Sequence, residues 1–107
     1  MDLGLAERVA LVTGSSRGIG LAIARTLAAE GALVALNARG GEALAAAQRS
    51  LGRASSAHCA DVSTGEGARA LIADVVARWG RLELLVLNVG SGASVGSEWS
   101  RHGWRGL

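Results

Sequence analysis

The chain has 107 residues at 10.8 kDa and a formal net charge of +2, enough for one small domain and too short for two. Half of it is hydrophobic, 19% is charged and the mean hydropathy is +0.31, which excludes a chain disordered by composition. With no Pro, and 16 Gly that follow no fixed period, collagenous and Pro-rich linker classes are excluded as well. Apolar runs such as Leu84 to Leu87 fall far short of the roughly 20 residues of a membrane span. The N-terminus carries Asp2 and Glu7 and lacks the basic start of a secretory signal. A single cysteine, Cys59, permits no intrachain disulfide. A cytoplasmic protein without a membrane partner is expected on these grounds. All eleven basic residues are Arg, spread from Arg8 to Arg105 among acids. They form no clustered stripe with aromatic platforms, so no nucleic-acid partner is expected.

Short apolar runs alternate with helical periodicities along the chain. Arg8 to Thr13, bounded by Gly14, predicts a buried strand. Ile19, Ile23 and Leu27 recur at four-residue spacing on one face of a helix that should stop near Glu30, with Gly31 as a left-handed cap. Leu33 to Leu36 predicts a second strand ending at Asn37-Ala38-Arg39, and the Ala-rich segment Glu42 to Leu51 a second helix with Leu44, Ala47 and Leu51 on one side. Ser55 to Cys59 predicts a third, more polar strand. Ser63 with Glu66 has the spacing of a capping box for a third helix. Its apolar face comprises Ala68, Leu71, Ile72, Val75, Val76 and Trp79. Leu84 to Leu87 is the fourth strand, followed by a Gly- and Ser-rich stretch and a tail with Trp99 and Trp104. Strand and helix in this alternation predict a parallel α/β sheet with right-handed crossovers and helices on its faces.

The chemistry concentrates at the first turn. Thr13-Gly14-Ser15-Ser16-Arg17-Gly18-Ile19-Gly20 lies between a strand and a helix. There a tight turn, close backbone approach and the positive end of a helix suit a pyrophosphate. A carboxylate at the end of the second strand would bond a ribose 2′-hydroxyl and repel a 2′-phosphate. That place holds Ala38, followed by Arg39, while Arg17 approaches from the glycine loop. Two guanidiniums favour a phosphate there, hence NADP(H) over NAD(H). His58 and His102 show no metal-ligand spacing, and Cys59 and its neighbour His58 point to opposite faces of a strand. Ser91, Ser94 and Ser97 are expected to be loop residues.

The spacing Thr13-Gly14-x-x-x-Gly18-Ile19-Gly20 resembles the motif of the short-chain dehydrogenases/reductases. Arg39 after the second strand, Asp61-Val62 after the third and Asn88-Val89-Gly90 after the fourth agree in order, the last with Val where the family has Ala. The resemblance runs from about Leu5 to Gly90. It leaves residues 91–107 as a Gly/Ser-rich tail of one partial Rossmann domain spanning 1–107.

The resemblance implies a three-layer Rossmann-like fold, its parallel sheet in the order 3-2-1-4 with three flanking helices, truncated after the fourth strand. Gly14, Gly18 and Gly20 would hold the pyrophosphate and adjacent ribose of a dinucleotide, with Ser16 and Ile19 of the same loop among the cofactor contacts. Asp61 would accept a hydrogen bond from the adenine amino group beside Val62, and Asn88 and Gly90 would line the floor near the nicotinamide-side ribose. Family chemistry uses a Tyr, a Lys four residues later and a Ser, all beyond the fourth strand. This sequence holds no Tyr and no Lys, so no catalytic residue is assigned and the chain alone is expected to be inactive. Two functions remain open. One is the nucleotide-binding N-terminal part of an NADP(H)-dependent oxidoreductase of the carbonyl reductase or alcohol dehydrogenase type. The other is a non-catalytic, stand-alone nucleotide-binding or self-assembling module. An open fourth-strand edge and an uncovered sheet face favour a homo-oligomer.

Overall fold

Val9–Val12 (β1) is apolar at every position and wholly buried, as a strand covered on both faces must be. In the computed structural model, which describes residues 4–88, β1 is flanked by β2 (Leu33–Ala38) on one side and β4 (Leu84–Val86) on the other. Beyond β2 lies β3 (Ser55–Cys59), so the sheet runs β3-β2-β1-β4. All pairings are parallel, with Leu11 opposite Ala35 on one side and Leu85 on the other. Three helices make the crossovers: α1 (Gly18–Ala29), α2 (Glu42–Leu51) and α3 (Gly65–Trp79). The expected α/β fold, Rossmann-like with this strand order and three helices, is the observed one.

Alternation along the strands divides the core in two. Val12, Val34 and Leu36 pack with Ala24 of α1 and with Leu44 and Ala47 of α2 on one face. Val9, Leu11 and Ala35 pack with Leu71 and Val75 of α3 on the other. The helix α1 meets the sheet through small residues, Gly20 and Ala24. That contact brings its axis near the strands and its N-terminus up to the carboxyl end of β1.

Three local expectations change. Thr64, not Ser63, caps α3: its backbone is extended and its Oγ1 accepts from the Gly67 N–H at 2.9 Å. The capping residue is the one whose backbone is extended just before the helix; the three-residue spacing to Glu66 singles out Ser63, whose hydroxyl instead donates to Asp61 Oδ1. Of the Ile19, Ile23 and Leu27 face of α1, Ile23 and Leu27 are half-buried against the core, whereas Ile19 is 73% exposed. It lines a shallow open groove with Ala22, Ile23, Thr26 and Leu27 instead. On α3, Leu71 and Val75 are buried, whereas Ile72 and Val76 remain exposed. The end of α1 follows expectation, with Gly31 at φ +94°.

Candidate functional site

The carboxyl ends of the four strands are tied together behind the glycine loop. On one side Asn37, at the end of β2, accepts from the Gly14 N–H at 3.2 Å through Oδ1. Its Nδ2 donates to the carbonyls of His58 and Ala60, each at 3.2 Å. Buried Ser15 completes that corner: its Oγ donates to Val12 O at 2.8 Å and accepts from the Asn37 N–H at 2.8 Å. On the other side Asn88, just past β4, donates from Nδ2 to Gly14 O at 3.1 Å, and its N–H donates to Thr13 Oγ1 at 2.9 Å. Every strand end therefore bears on the conformation of one turn.

That turn requires glycine at three places: Gly14 lies at φ +58°, where a Cβ would come 3.1 Å from Asn88 O, and Gly20 and Gly18 are fixed for different reasons. A Cβ at Gly20 would overlap Gly14 O and lie 2.7 Å from Asn88 Nδ2, so the helix could not seat against the turn. At Gly18 the constraint is conformational, φ +62°, and a Cβ would meet no described residue within 4 Å. Among the described residues, the space in front of Gly18 is open. The backbone is extended at Arg17, and no side chain caps α1, which leaves the first-turn N–H groups and the positive end of the helix turned toward that space.

The remaining expected residues surround this opening unevenly. Ser16 is half-buried in the loop, and Arg17, Ile19 and Arg39 are exposed. Asp61 is exposed in the turn after β3, and Val62 beside it is 39% exposed. The Ser63 hydroxyl and amide both donate to Asp61 Oδ1, at 2.6 and 2.9 Å. These bonds hold the Asp61 carboxyl below its usual range, and the charge of Arg39 acts in the same direction. Arg39 and Asp61 therefore share one rim of the sheet. Gly90 lies outside the described residues, as do Ser91, Ser94, Ser97, Trp99, His102 and Trp104.

Sequence reasoning missed the polar residues beneath the loop. Asn37 stood only as the end of a strand and Ser15 as loop filler, although a buried Asn at a strand terminus next to a glycine turn is a signal for backbone pairing. It also missed a chain on the other face. Trp79 Nε1–H donates to Ser56 Oγ at 2.8 Å, Ser56 Oγ lies 2.7 Å from His58 Nε2, and His58 Nδ1 lies 2.7 Å from Asp74 Oδ2. The order resembles a nucleophile, base and carboxylate. However, Ser56 is buried and its oxygen is already occupied by the indole N–H, so the chain works as a polar clasp of α3 on β3. His58 is buried and Cys59 exposed, on opposite faces as expected. Among the described residues no group of three or more His, Cys, Asp or Glu could hold a metal, and no helix is long and apolar enough to cross a membrane.

A parallel sheet with a glycine turn and a helix N-terminus at the carboxyl end of its first strand defines the doubly wound nucleotide-binding class of α/β domains. Within that class the chain belongs to the short-chain dehydrogenase family, whose model matches residues 8–105. It is 41% identical over 92 residues to a hydroxynaphthalene reductase of Aspergillus fumigatus, covering 82% of this chain and 34% of that protein. The crystal structure of L-sorbose reductase from Gluconobacter frateurii, complexed with NADPH and L-sorbose, superimposes with a TM-score of 0.81 at 43% identity, over 87% of this chain and 37% of that one. A metagenomic short-chain oxidoreductase in complex with NADP gives a TM-score of 0.75 at 44% identity, over 82% of this chain and 41% of that one. The chain thus spans well under half the length of these relatives.

Proposed function

We propose that this chain is the dinucleotide-binding N-terminal part of an NADP(H)-dependent short-chain oxidoreductase of the carbonyl reductase or alcohol dehydrogenase type. The observation that carries the cofactor preference is the absence of a carboxylate at the end of β2. Ala38 closes the strand, Arg39 follows it exposed, and Arg17 stands exposed at the start of α1. A 2′-phosphate finds two guanidiniums there and no carboxylate at the strand end itself. The residues present fit the group: open space before Gly18, an uncapped α1 and a glycine turn held on both sides suit a pyrophosphate. In this reading Gly14, Ser16, Gly18, Ile19 and Gly20 hold the phosphates and adjacent ribose. Arg17 and Arg39 bind the 2′-phosphate, Asp61 and Val62 receive the adenine, and Asn88 and Gly90 bound the nicotinamide side. When bound, the cofactor supplies a hydride.

Titration with NADPH and NADH tests this. NADPH should bind at least about tenfold more tightly, the worth of one charge-assisted hydrogen bond, and Arg39→Asp should reverse the order. Equal affinities at moderate salt would overturn the preference. The Tyr and Lys that the family resemblance implies for proton transfer are not among these 107 residues. NADPH oxidation in the presence of carbonyls should therefore stay at background, and turnover that tracks the purified chain would refute this.

A second reading, a self-assembling module, is favoured by the β4 side of the molecule. There β4 ends the sheet with its outer backbone groups unpaired among the described residues, while Leu85 is 42% and Leu87 68% exposed. A second copy adding its own edge, or covering this face, would satisfy both the backbone groups and the apolar surface. Light scattering at micromolar concentration decides it, and a soluble 10.8 kDa monomer would defeat it.

A further inference from the structure

The turn after β3 contains more polar machinery than a helix cap needs. Capping of α3 is done by Thr64, so the neighbouring Ser63 is released from that role. Its hydroxyl and its amide both go to one oxygen of one side chain, Asp61 Oδ1. Asp61 Oδ2 accepts no hydrogen bond from any described residue. Two donors on Oδ1 leave the carboxylate little rotational freedom, so Oδ2 points in a set direction from an exposed position. The backbone beneath it is equally constrained. Gly67, in the first turn of α3, comes so close that a Cβ there would overlap Asp61 O and lie 3.1 Å from Thr64 Oγ1. The first turn of α3 is thus seated directly on the Asp61 peptide.

We infer that Ser63 is a positioning residue for the base-binding end of the site: it holds Asp61 so that Oδ2 is aimed, before any ligand arrives, as the acceptor for the exocyclic amino group of an adenine. This rests on the dinucleotide reading above. Preorganisation acts by removing the cost of ordering an exposed side chain on binding. A free Asp61 would sample several rotamers and would accept water, or the Arg39 guanidinium on the same rim, as readily as the base. With Oδ1 already doubly bonded, only Oδ2 remains available, and it discriminates between a donor and an acceptor at the base edge.

The test compares NADPH with the dinucleotide phosphate that has hypoxanthine in place of adenine, a carbonyl replacing the amino group. Both are titrated against the chain and its Ser63→Ala and Ser63→Thr variants, with far-UV circular dichroism confirming that each variant is folded. Ser63→Ala should weaken NADPH by about three- to tenfold, the range expected for one freed side chain. It should weaken the hypoxanthine nucleotide much less, so that the ratio of the two affinities narrows. Ser63→Thr, which keeps the hydroxyl, should restore the ratio. A Ser63→Ala chain that loses affinity for both nucleotides equally, or for neither, overturns the role of Ser63 and leaves the dinucleotide reading standing. A parent chain that binds neither nucleotide at millimolar concentration overturns the dinucleotide reading, and this inference with it.

Discussion

Asn37 supports the turn beneath the glycine loop, and Asn37→Asp isolates its role as a donor. The substitution keeps the shape and leaves Oδ1 to accept from the Gly14 N–H. What changes is Nδ2, which faces two carbonyls at 3.2 Å, His58 O and Ala60 O. Asn37 is 2% exposed, so water does not replace the lost donor. As a carboxylate, the new side chain sets an uncompensated charge against two carbonyl oxygens, costing about 3–5 kcal/mol. Protonated, it donates to one carbonyl and forfeits the other, costing about 1–2 kcal/mol. The difference of about 2–3 kcal/mol places its folded-state pKa about two units above the unfolded value near 3.9.

The folded pKa is therefore raised. Below about pH 3 both states are protonated and only the missing bond is felt; the added penalty grows as the pH rises from about 4 and is complete above about 6. Asn37→Ala cannot titrate; it should lose about 2–4 kcal/mol at either pH, from three bonds deleted at once. Urea unfolding at pH 5 and pH 8, followed by far-UV circular dichroism, measures both. Against a total stability of about 5–15 kcal/mol, Asn37→Asp should be weaker at pH 8 than at pH 5 by roughly 1 kcal/mol, relative to the parent. Parallel pH profiles for the Asn37→Asp and Asn37→Ala chains, or a parent-like midpoint for Asn37→Asp at pH 8, would refute the role assigned to this side chain.

Other outcomes follow from the same geometry. Gly20→Ala should destabilise the fold by about 1–3 kcal/mol through overpacking against Gly14 O and Asn88 Nδ2. Gly18→Ala should cost about 1–2 kcal/mol through its positive φ alone, and chemical denaturation of the pair separates a steric from a conformational requirement. Leu11→Ala, in a wholly buried position of the central strand, should cost about 2–5 kcal/mol in the same assay. At the far end of the sheet, the Val9 N–H and the Arg8 and Arg81 guanidiniums hold the Glu83 carboxyl down to about 2, against 4.5 in its ordinary state. A depressed acid stabilises above its unfolded pKa, so this contribution is complete above about pH 4.5 and is lost as the pH falls toward 2. Glu83→Gln should flatten that part of the acid-unfolding curve, and an unchanged curve would show that the cluster contributes nothing.

The elements of this chain follow from local periodicity, and so they are legible without a structure. The Ala-rich stretch Glu42–Leu51 and the polar strand Ser55–Cys59 occupy the expected residues to both ends, because glycines bound the one and a change of period bounds the other. The glycine spacing, Arg39 and the order of the later turns are legible too, since each is a short-range pattern with a chemical reason. The strand order is not contained in any period; it came from the family resemblance, and the tertiary structure bears it out. Which apolar faces are covered was likewise undecided. Ile19 and Leu44 sit in equally convincing helical stripes, yet only Leu44 is buried, because burial depends on what lies opposite and not on the helix itself. The residues that set the site were hidden for the same reason. Asn37 bonds Gly14 across 23 positions, Asn88 bonds it across 74, and His58 meets Asp74 across 16. Within one strand or turn a polar side chain looks like any other. Its partner is chosen only when the parallel sheet lays distant strand ends side by side and excludes the water that would otherwise have satisfied them.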